Sequence, residues 1–326
     1  TTIAMVDCEL CKICLPIVAF VVAYYFVLPL LGIFFRHLVL TKLWSQRRQL
    51  KKLGGWAVVT GSTDGIGRAY ARLLAKDGLN IVLISRSQEK LDDVAKELRD
   101  KYSVQVRIIV ADFSQVDVYD RIERELSGID VACLVNNVGV GYSWPTYLAG
   151  GPKPLDAGEL QPMLNVNCSS VARMTRMLLP RMLPRGGAVI NVASGSGLQP
   201  TPFLSAYSAS KAYVVNFSES VAAEVRHLAS KGGAVKSVTV QTVTPFFVAT
   251  KLSKIRRASF FAPSPDAFVS EALNLLGVEQ LSLGCLSHSL QYLFMSLLPG
   301  CVSNYVLCST MYSTMQRSLK KQGKNN

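Results

Sequence analysis

The 326-residue chain is 49% apolar, enough for one large core or two ordinary ones, which excludes a disordered protein. Its 35 Lys+Arg against 22 Asp+Glu give a formal charge of +13, a balance suited to nucleic acid, an anionic membrane surface or an anionic substrate. Nothing resembles a helix-turn-helix or a zinc finger, so nucleic acid is set aside and the position of the charges decides between the other two.

In chain order, an expected lumenal tail (1–12) precedes 23 uncharged positions, ICLPIVAFVVAYYFVLPLLGIFF (13–35), more than the ~20 residues that cross a bilayer as a helix. Pro16, Pro29 and Gly32 are tolerated in such a span. The run is too long for a secretory signal and no small-residue cleavage site follows it. Arg36, Lys42, Arg47, Arg48, Lys51 and Lys52 come next, with no acid before Asp64. That asymmetry places everything after the span on the cytosolic side, with 36–53 a basic collar for anionic lipid headgroups. Cys8, Cys11 and Cys14 repeat every third residue without a fourth ligand, so no metal site is expected and acylation is the alternative. Cys133, Cys168, Cys285, Cys301 and Cys308 lie in apolar segments and read as buried thiols.

From residue 54 short β-rich runs alternate with helix-like stretches: GWAVVTG, then a helix to Gly78; NIVLIS, then a helix from Gln88 to Lys101; VQVRIIVADF, DVYDRIERELSG and DVACLVNNVG. After a Gly- and Pro-rich loop (141–162) come a helix through VARMTRMLLPRM, a strand GAVINVAS, a helix bearing Tyr207 and Lys211, and the strand VKSVTVQTVTP. The pattern predicts an α/β fold, a doubly wound parallel sheet of about seven strands over residues 54–275. The remaining segment (276–326) contains 37 residues, Gln280–Gln316, without Lys, Arg, Asp or Glu. Its polar residues and Pro299 favour a pocket cover or an interfacial segment over a second span.

TGSTDGIG (60–67) follows the first strand and opens the first helix; glycines 61, 65 and 67 let backbone N–H groups approach an anionic phosphate at the helix start. Where an NAD site would close its second strand with an acid, LISRS presents Arg86, which favours the 2′-phosphate of NADPH. Asp112 is a candidate for the adenine amine, or else a helix N-cap. Asn136 and Asn137 end the fourth strand, where they contact nucleotide or brace the loop. In YSASKAY (207–213), Tyr207 and Lys211 are four apart and share a helical face. A phenol near pKa ~10 needs such a cation to exchange protons at neutral pH. Ser194, ending the fifth strand, can hydrogen-bond a substrate carbonyl, and Asn167 can hold a water linking Lys211 to solvent.

In this order and spacing, TGSTDGIG, NNVG, Asn167, Ser194, Tyr207 and Lys211 resemble the short-chain dehydrogenase/reductase family over about residues 54–275. GWAVVTGSTDGIG, LVNNVGV, PFFVATKLSKIRR and PSPDAFV, with the N-terminal anchor, resemble its subgroup of very-long-chain 3-oxoacyl-CoA reductases and 17β-hydroxysteroid dehydrogenases. The resemblance implies an endoplasmic reticulum membrane enzyme of fatty-acid elongation that uses NADPH. It implies a catalytic tetrad of Asn167, Ser194, Tyr207 and Lys211, and cofactor contacts at Gly61, Ser62, Asp64, Gly65, Ile66, Gly67, Arg86, Asp112, Asn137, Tyr207, Lys211 and Val248. A homodimer through the tyrosine helix is a further expectation of the family. A steroid dehydrogenase is the alternative within the same chemistry; a non-catalytic membrane adaptor is the alternative of another class, and the complete tetrad argues against it. Three departures stand out: AS for the usual serine pair before Ser194, Pro245-Phe246 for Pro-Gly, and a KKQGKNN tail whose Lys324 leaves a dilysine retrieval signal incomplete. The cluster Lys251, Lys254, Arg256 and Arg257 can receive the phosphates of a CoA thioester, or face lipid or solvent.

Overall fold

The computed structural model describes residues 9–232 and 236–322. Most of the expected lumenal tail, with Cys8, and the tail residues 323–326, with Lys324, lie outside them, as do the side chains of 9–13 and Gln322.

Among the described residues seven strands form one parallel sheet: β1 (Trp56–Thr60), β2 (Asn80–Ser85), β3 (Val106–Val110), β4 (Val131–Asn136), β5 (Gly187–Val192), β6 (Val238–Val243) and β7 (Leu281–Ser282), in the order β3-β2-β1-β4-β5-β6-β7. The central strands are runs of Val, Ile and Leu buried on both faces, as a parallel sheet covered by helices requires. Gly65–Lys76, Gln88–Tyr102 and Pro265–Asn274 cover one face through Leu74, Leu91, Phe268 and Leu273. Tyr119–Glu125, Ser170–Met182 and Ser205–Ser230 cover the other through Ile122, Met174, Leu178 and Val225. The chain reverses its direction of travel across the sheet between β1 and β4, which opens a crevice at their carboxyl ends. The seventh strand falls at 281–282, past the expected end of the catalytic region at 275. Two residues pairing with Thr242 and Val243 close the edge of the sheet, too short a run to leave a period in the sequence.

The N-terminal helix is continuous from Glu9 to Trp44, its α-helical stretches joined by π-helical turns at Ala23–Val27 and Arg36–Leu40. Pro29 has no N–H and crowds the carbonyl four residues before it, and the first π turn lies there. This helix is long and apolar enough to cross a membrane, and Leu15, Phe20, Tyr25 and Leu31 are exposed on it. Two cations of the basic collar serve another purpose than expected: Arg36 pairs with Glu279 at 2.6 Å and Arg47 with Asp77 at 2.6 Å. Together with the Gln46 N–H donating to the Leu276 carbonyl at 2.9 Å and buried Leu50, they fasten the helix to the domain.

After β7 come two helices, Leu286–Ser296 and Gly300–Gln322, bent by 119° at a break containing Pro299. The first packs against Leu28–Phe35, with the Phe26 and Phe294 rings 6.1 Å apart and His37 Nε2 3.1 Å from Ser289 Oγ. The second returns over the domain, where Tyr312 packs on Phe203 at 6.0 Å between ring centroids.

Candidate active site

The crevice is floored by the turn between β1 and the helix Gly65–Lys76. Gly61 and Gly65 take positive φ values of 63° and 51°. A Cβ on Gly67 would sit 2.2 Å from the Gly61 carbonyl oxygen and 2.4 Å from Asn137 Nδ2, so only hydrogen fits there. Asp64 caps the helix by accepting from the Gly65 N–H at 2.8 Å, and pairs with Lys251 at 2.8 Å. Burial pushes the Asp64 carboxyl up, but the hydrogen bonds from Lys251 and Gly65 outweigh it and hold the group below the usual carboxylate range. The Ile66 and Gly67 N–H groups find no partner among the described residues. Unpaired donors at a helix start beneath a wall that excludes side chains fit the diphosphate of a dinucleotide.

The other sequence-predicted cofactor residues divide by what their side chains do. Asn137 is engaged from below: its Nδ2 donates to the Thr60 and Gly61 carbonyls, each at 3.1 Å, and its N–H to Thr60 Oγ1 at 3.0 Å. Ser62 and Val248 are buried, so only their backbones remain for a ligand. Arg86 is exposed at the end of β2, with no ion-pair partner among the described residues. Asp112 Oδ1 accepts from the Ser114 N–H at 3.0 Å, a local turn and not the N-cap of the following helix, which starts at Tyr119. Asn136 is buried and donates to Asn191 at 2.8 Å and Thr175 at 3.1 Å, a structural link between β4, β5 and a flanking helix.

Ser194, Tyr207 and Lys211 meet at the carboxyl edge beside this turn. Ser194 follows β5, and its Oγ accepts from the Ser196 N–H at 3.2 Å while lying near enough to the Tyr207 phenol to favour its ionised form. Lys211 Nζ stands 5.9 Å from the Tyr207 ring centroid and donates to the Val192 carbonyl at 3.1 Å. Burial draws Lys211 down from 10.5 to about 8, which leaves it mostly charged at neutral pH. The phenol departs from expectation: burial raises Tyr207 above its ordinary value, and Ser194 offsets only part of that rise. Desolvation of the phenolate prevails, so Tyr207 is held as a protonated donor.

Asn167 has a bracing role that the sequence did not suggest. It lies in a π-helical turn, Asn165–Ser169, and is fully buried. Its Oδ1 accepts from the Val140 N–H at 2.9 Å; its Nδ2 donates to the Val140 carbonyl and to Ser210 Oγ, both at 2.9 Å. Ser210 in turn donates to the Tyr207 carbonyl at 2.7 Å. Both amide protons are therefore spent on joining the loop after β4 to the tyrosine helix, and one lone pair of Oδ1 remains.

Two supporting residues had no signal in the sequence. Tyr142 Oη accepts from the Ala206 N–H at 3.1 Å, capping the tyrosine helix from the Gly- and Pro-rich loop. His288, wholly buried, accepts from the Phe246 N–H at Nδ1 (3.4 Å) and donates from Nε2 to the Phe247 carbonyl (3.1 Å). Burial lowers its pKa, which keeps it neutral and able to do both. It ties the C-terminal helix pair to the loop after β6.

Comparison with known proteins follows the same lines. The family model described as short chain dehydrogenase matches residues 55–259. The very-long-chain 3-oxoacyl-CoA reductase of Anas platyrhynchos is 46% identical over 274 residues, covering 83% of this chain and 85% of the relative. That of Homo sapiens is 45% identical over 274 residues, covering 84% and 85%. Among solved structures, a 7β-hydroxysteroid dehydrogenase superposes with a TM-score of 0.66 at 25% identity, over 80% of this chain and 98% of that one. A short-chain dehydrogenase from Sphingobium yanoikuyae in complex with NADPH gives 0.60 at 25% identity, over 75% and 96%.

Proposed function

The chain belongs to the short-chain dehydrogenase family, and on that premise we propose that it reduces the 3-oxo group of a very-long-chain 3-oxoacyl-CoA with NADPH. The observation that carries the reading is the meeting of the Ser194 and Tyr207 hydroxyls and the Lys211 ammonium beside the glycine turn. The glycine turn would hold the diphosphate of NADPH and Arg86 its 2′-phosphate, and the bound cofactor would supply the hydride. Ser194 holds the ketone oxygen, and Tyr207, protonated at neutral pH, donates its proton to that oxygen as negative charge develops there. The phenolate left behind is stabilised by Ser194 and by the ammonium of Lys211. Asn167 and Ser210 hold the tyrosine helix against the loop that walls the site.

The acyl-CoA reading is favoured over the steroid reading by the 3-oxoacyl-CoA reductases at 45–46% identity over most of the chain; the steroid dehydrogenase is a likeness at 25%. The assembled hydroxyl–ammonium cluster speaks against a non-catalytic adaptor. The N-terminal helix is the membrane anchor, and the six basic residues after the apolar run support a catalytic domain on the cytosolic face of the endoplasmic reticulum. Pairing of two copies through the tyrosine helix is part of the same reading; Tyr213 and Leu228 are exposed on it.

Detergent-solubilised protein given NADPH and a 3-oxoacyl-CoA should consume the cofactor, with a higher kcat/KM than for any 17-ketosteroid. Tyr207→Phe should lower kcat by about 10²–10⁴-fold. Undiminished turnover by that variant would remove Tyr207 from the chemistry, and a steroid preference would replace the substrate.

A further inference from the structure

A cavity of about 1070 Å³ opens beside the glycine turn, separate from the Ser194–Tyr207–Lys211 cluster. Its wall includes six cations, Arg68, Arg72, Lys251, Lys254, Arg256 and Lys321, and one carboxylate, Asp64. These cations come from three places distant in sequence: the helix Gly65–Lys76, the loop after β6 and the last turn of the C-terminal helix. Arg68 and Arg72 are held by Glu97 and Asp266, and Lys251 by Asp64. Lys254, Arg256 and Lys321 have no carboxylate partner among the described residues. Lys254 sits at φ 59°, in the left-handed region, with its ammonium donating to the Ser143 carbonyl. Mutual repulsion among three unpaired cations around one cavity is relieved by a multiply charged anion.

The helix Gly300–Gln322 says which anion. Its first part is uncharged up to Gln316 and exposes Val302, Tyr305 and Val306. Tyr312 then packs on Phe203, four residues before the catalytic tyrosine, and Lys321 ends in the cavity. At 1.5 Å per residue, Tyr312 and Lys321 are about 14 Å apart along the axis. Exposed apolar surface, the segment that leads into the tyrosine helix and the cations of the cavity thus follow one another along this helix, the order in which a 3-oxoacyl-CoA carries its acyl chain, its ketone and its phosphates. We infer that this cavity binds the phosphorylated nucleotide end of the CoA thioester, with Arg256 and Lys321 as its principal phosphate partners. The inference rests on the acyl-CoA reading proposed above for substrate class, and its test does not require turnover.

Adenosine 3′,5′-bisphosphate is the probe, titrated calorimetrically into the full-length protein in neutral detergent and saturated with NADPH. The wild type should bind it, more weakly as salt is raised, and Arg256→Gln with Lys321→Gln should weaken binding by at least about tenfold, the loss expected when charged hydrogen-bond partners are removed. Lys96→Gln, on the exposed face of Gln88–Tyr102 and outside the cavity, should leave it unchanged. In turnover the double variant should raise KM for a 3-oxoacyl-CoA and leave KM for NADPH, and kcat with the phosphate-free pantetheine thioester, at wild-type values. Equal weakening by Lys96→Gln, or a matching rise in KM for NADPH, overturns the inference. So does displacement of the probe by phosphatidic acid micelles with no effect of the double variant on KM for the CoA thioester, which makes the cavity a lipid headgroup site. If no 3-oxo thioester turns over but the probe binds as described, the catalytic reading fails and the nucleotide site stands.

Discussion

Lys211 has its ammonium buried so that its free energy of ionisation is tied to the fold. The drop from 10.5 to about 8 corresponds to about 3 kcal/mol of cost for holding the charge inside. Between those two values the unfolded chain binds more protons than the fold, so this residue's contribution to stability rises with pH through that window. The stability of the wild type relative to Lys211→Met should therefore increase by about 3 kcal/mol from pH 7 to pH 10.5, read from unfolding curves of the detergent-solubilised proteins; a pH-independent difference would show that the lysine is not buried as charged. In catalysis the sign reverses, because the charge is what stabilises the Tyr207 phenolate. The kcat/KM for reduction should fall as pH rises through about 8, and Lys211→Arg, whose guanidinium stays charged, should lack that fall.

Among the elements, the turn after β1 was the most legible, because its sequence has only one economical use. Three glycines between a buried strand and an amphipathic helix mark a phosphate-binding turn, and the tight approach at Gly67 is what such spacing implies. Gly67→Ala places a methyl group against the Gly61 carbonyl and the Asn137 amide, neither of which can retreat without breaking the turn. It should lower stability by about 1–3 kcal/mol and abolish NADPH binding, followed by cofactor fluorescence; retained affinity would mean that the turn relaxes freely. The shared face of Tyr207 and Lys211 was readable for the same reason, a four-residue helical spacing. The uses of Asn167 and Asn137 were not, because an amide that holds a water or a nucleotide and one that braces a loop look alike in sequence; only the partners Val140 and Gly61 decide. His288 was invisible because its partners, Phe246 and Phe247, lie about forty residues away and no periodicity links them.

For the whole molecule, depth along the N-terminal helix locates the C-terminal pair. Phe26 lies nine residues inside the end of the apolar run at Phe35, about 14 Å at helical rise, roughly half of a ~30 Å hydrocarbon core. Phe294 touches Phe26, so the helix Leu286–Ser296 reaches the same depth if the first helix spans, and its exposed Phe294, Leu297 and Leu298 meet acyl chains there. On that premise the bend at Pro299 and the return of Tyr312 to Phe203 lead us to expect a re-entrant foot in place of a second crossing. Such a path would suit an uncharged stretch of 37 residues which is too polar to be a span by itself. Cys301, which like Cys308 is exposed and not the buried thiol its apolar surroundings suggested, lies at the bend and reports on it directly. In proteoliposomes a variant retaining only Cys301 should resist a membrane-impermeant maleimide until detergent is added, whereas Lys96→Cys in the same background should react at once. Equal reactivity of both sites without detergent would put the C-terminal helices in water and leave the N-terminal helix as the sole attachment.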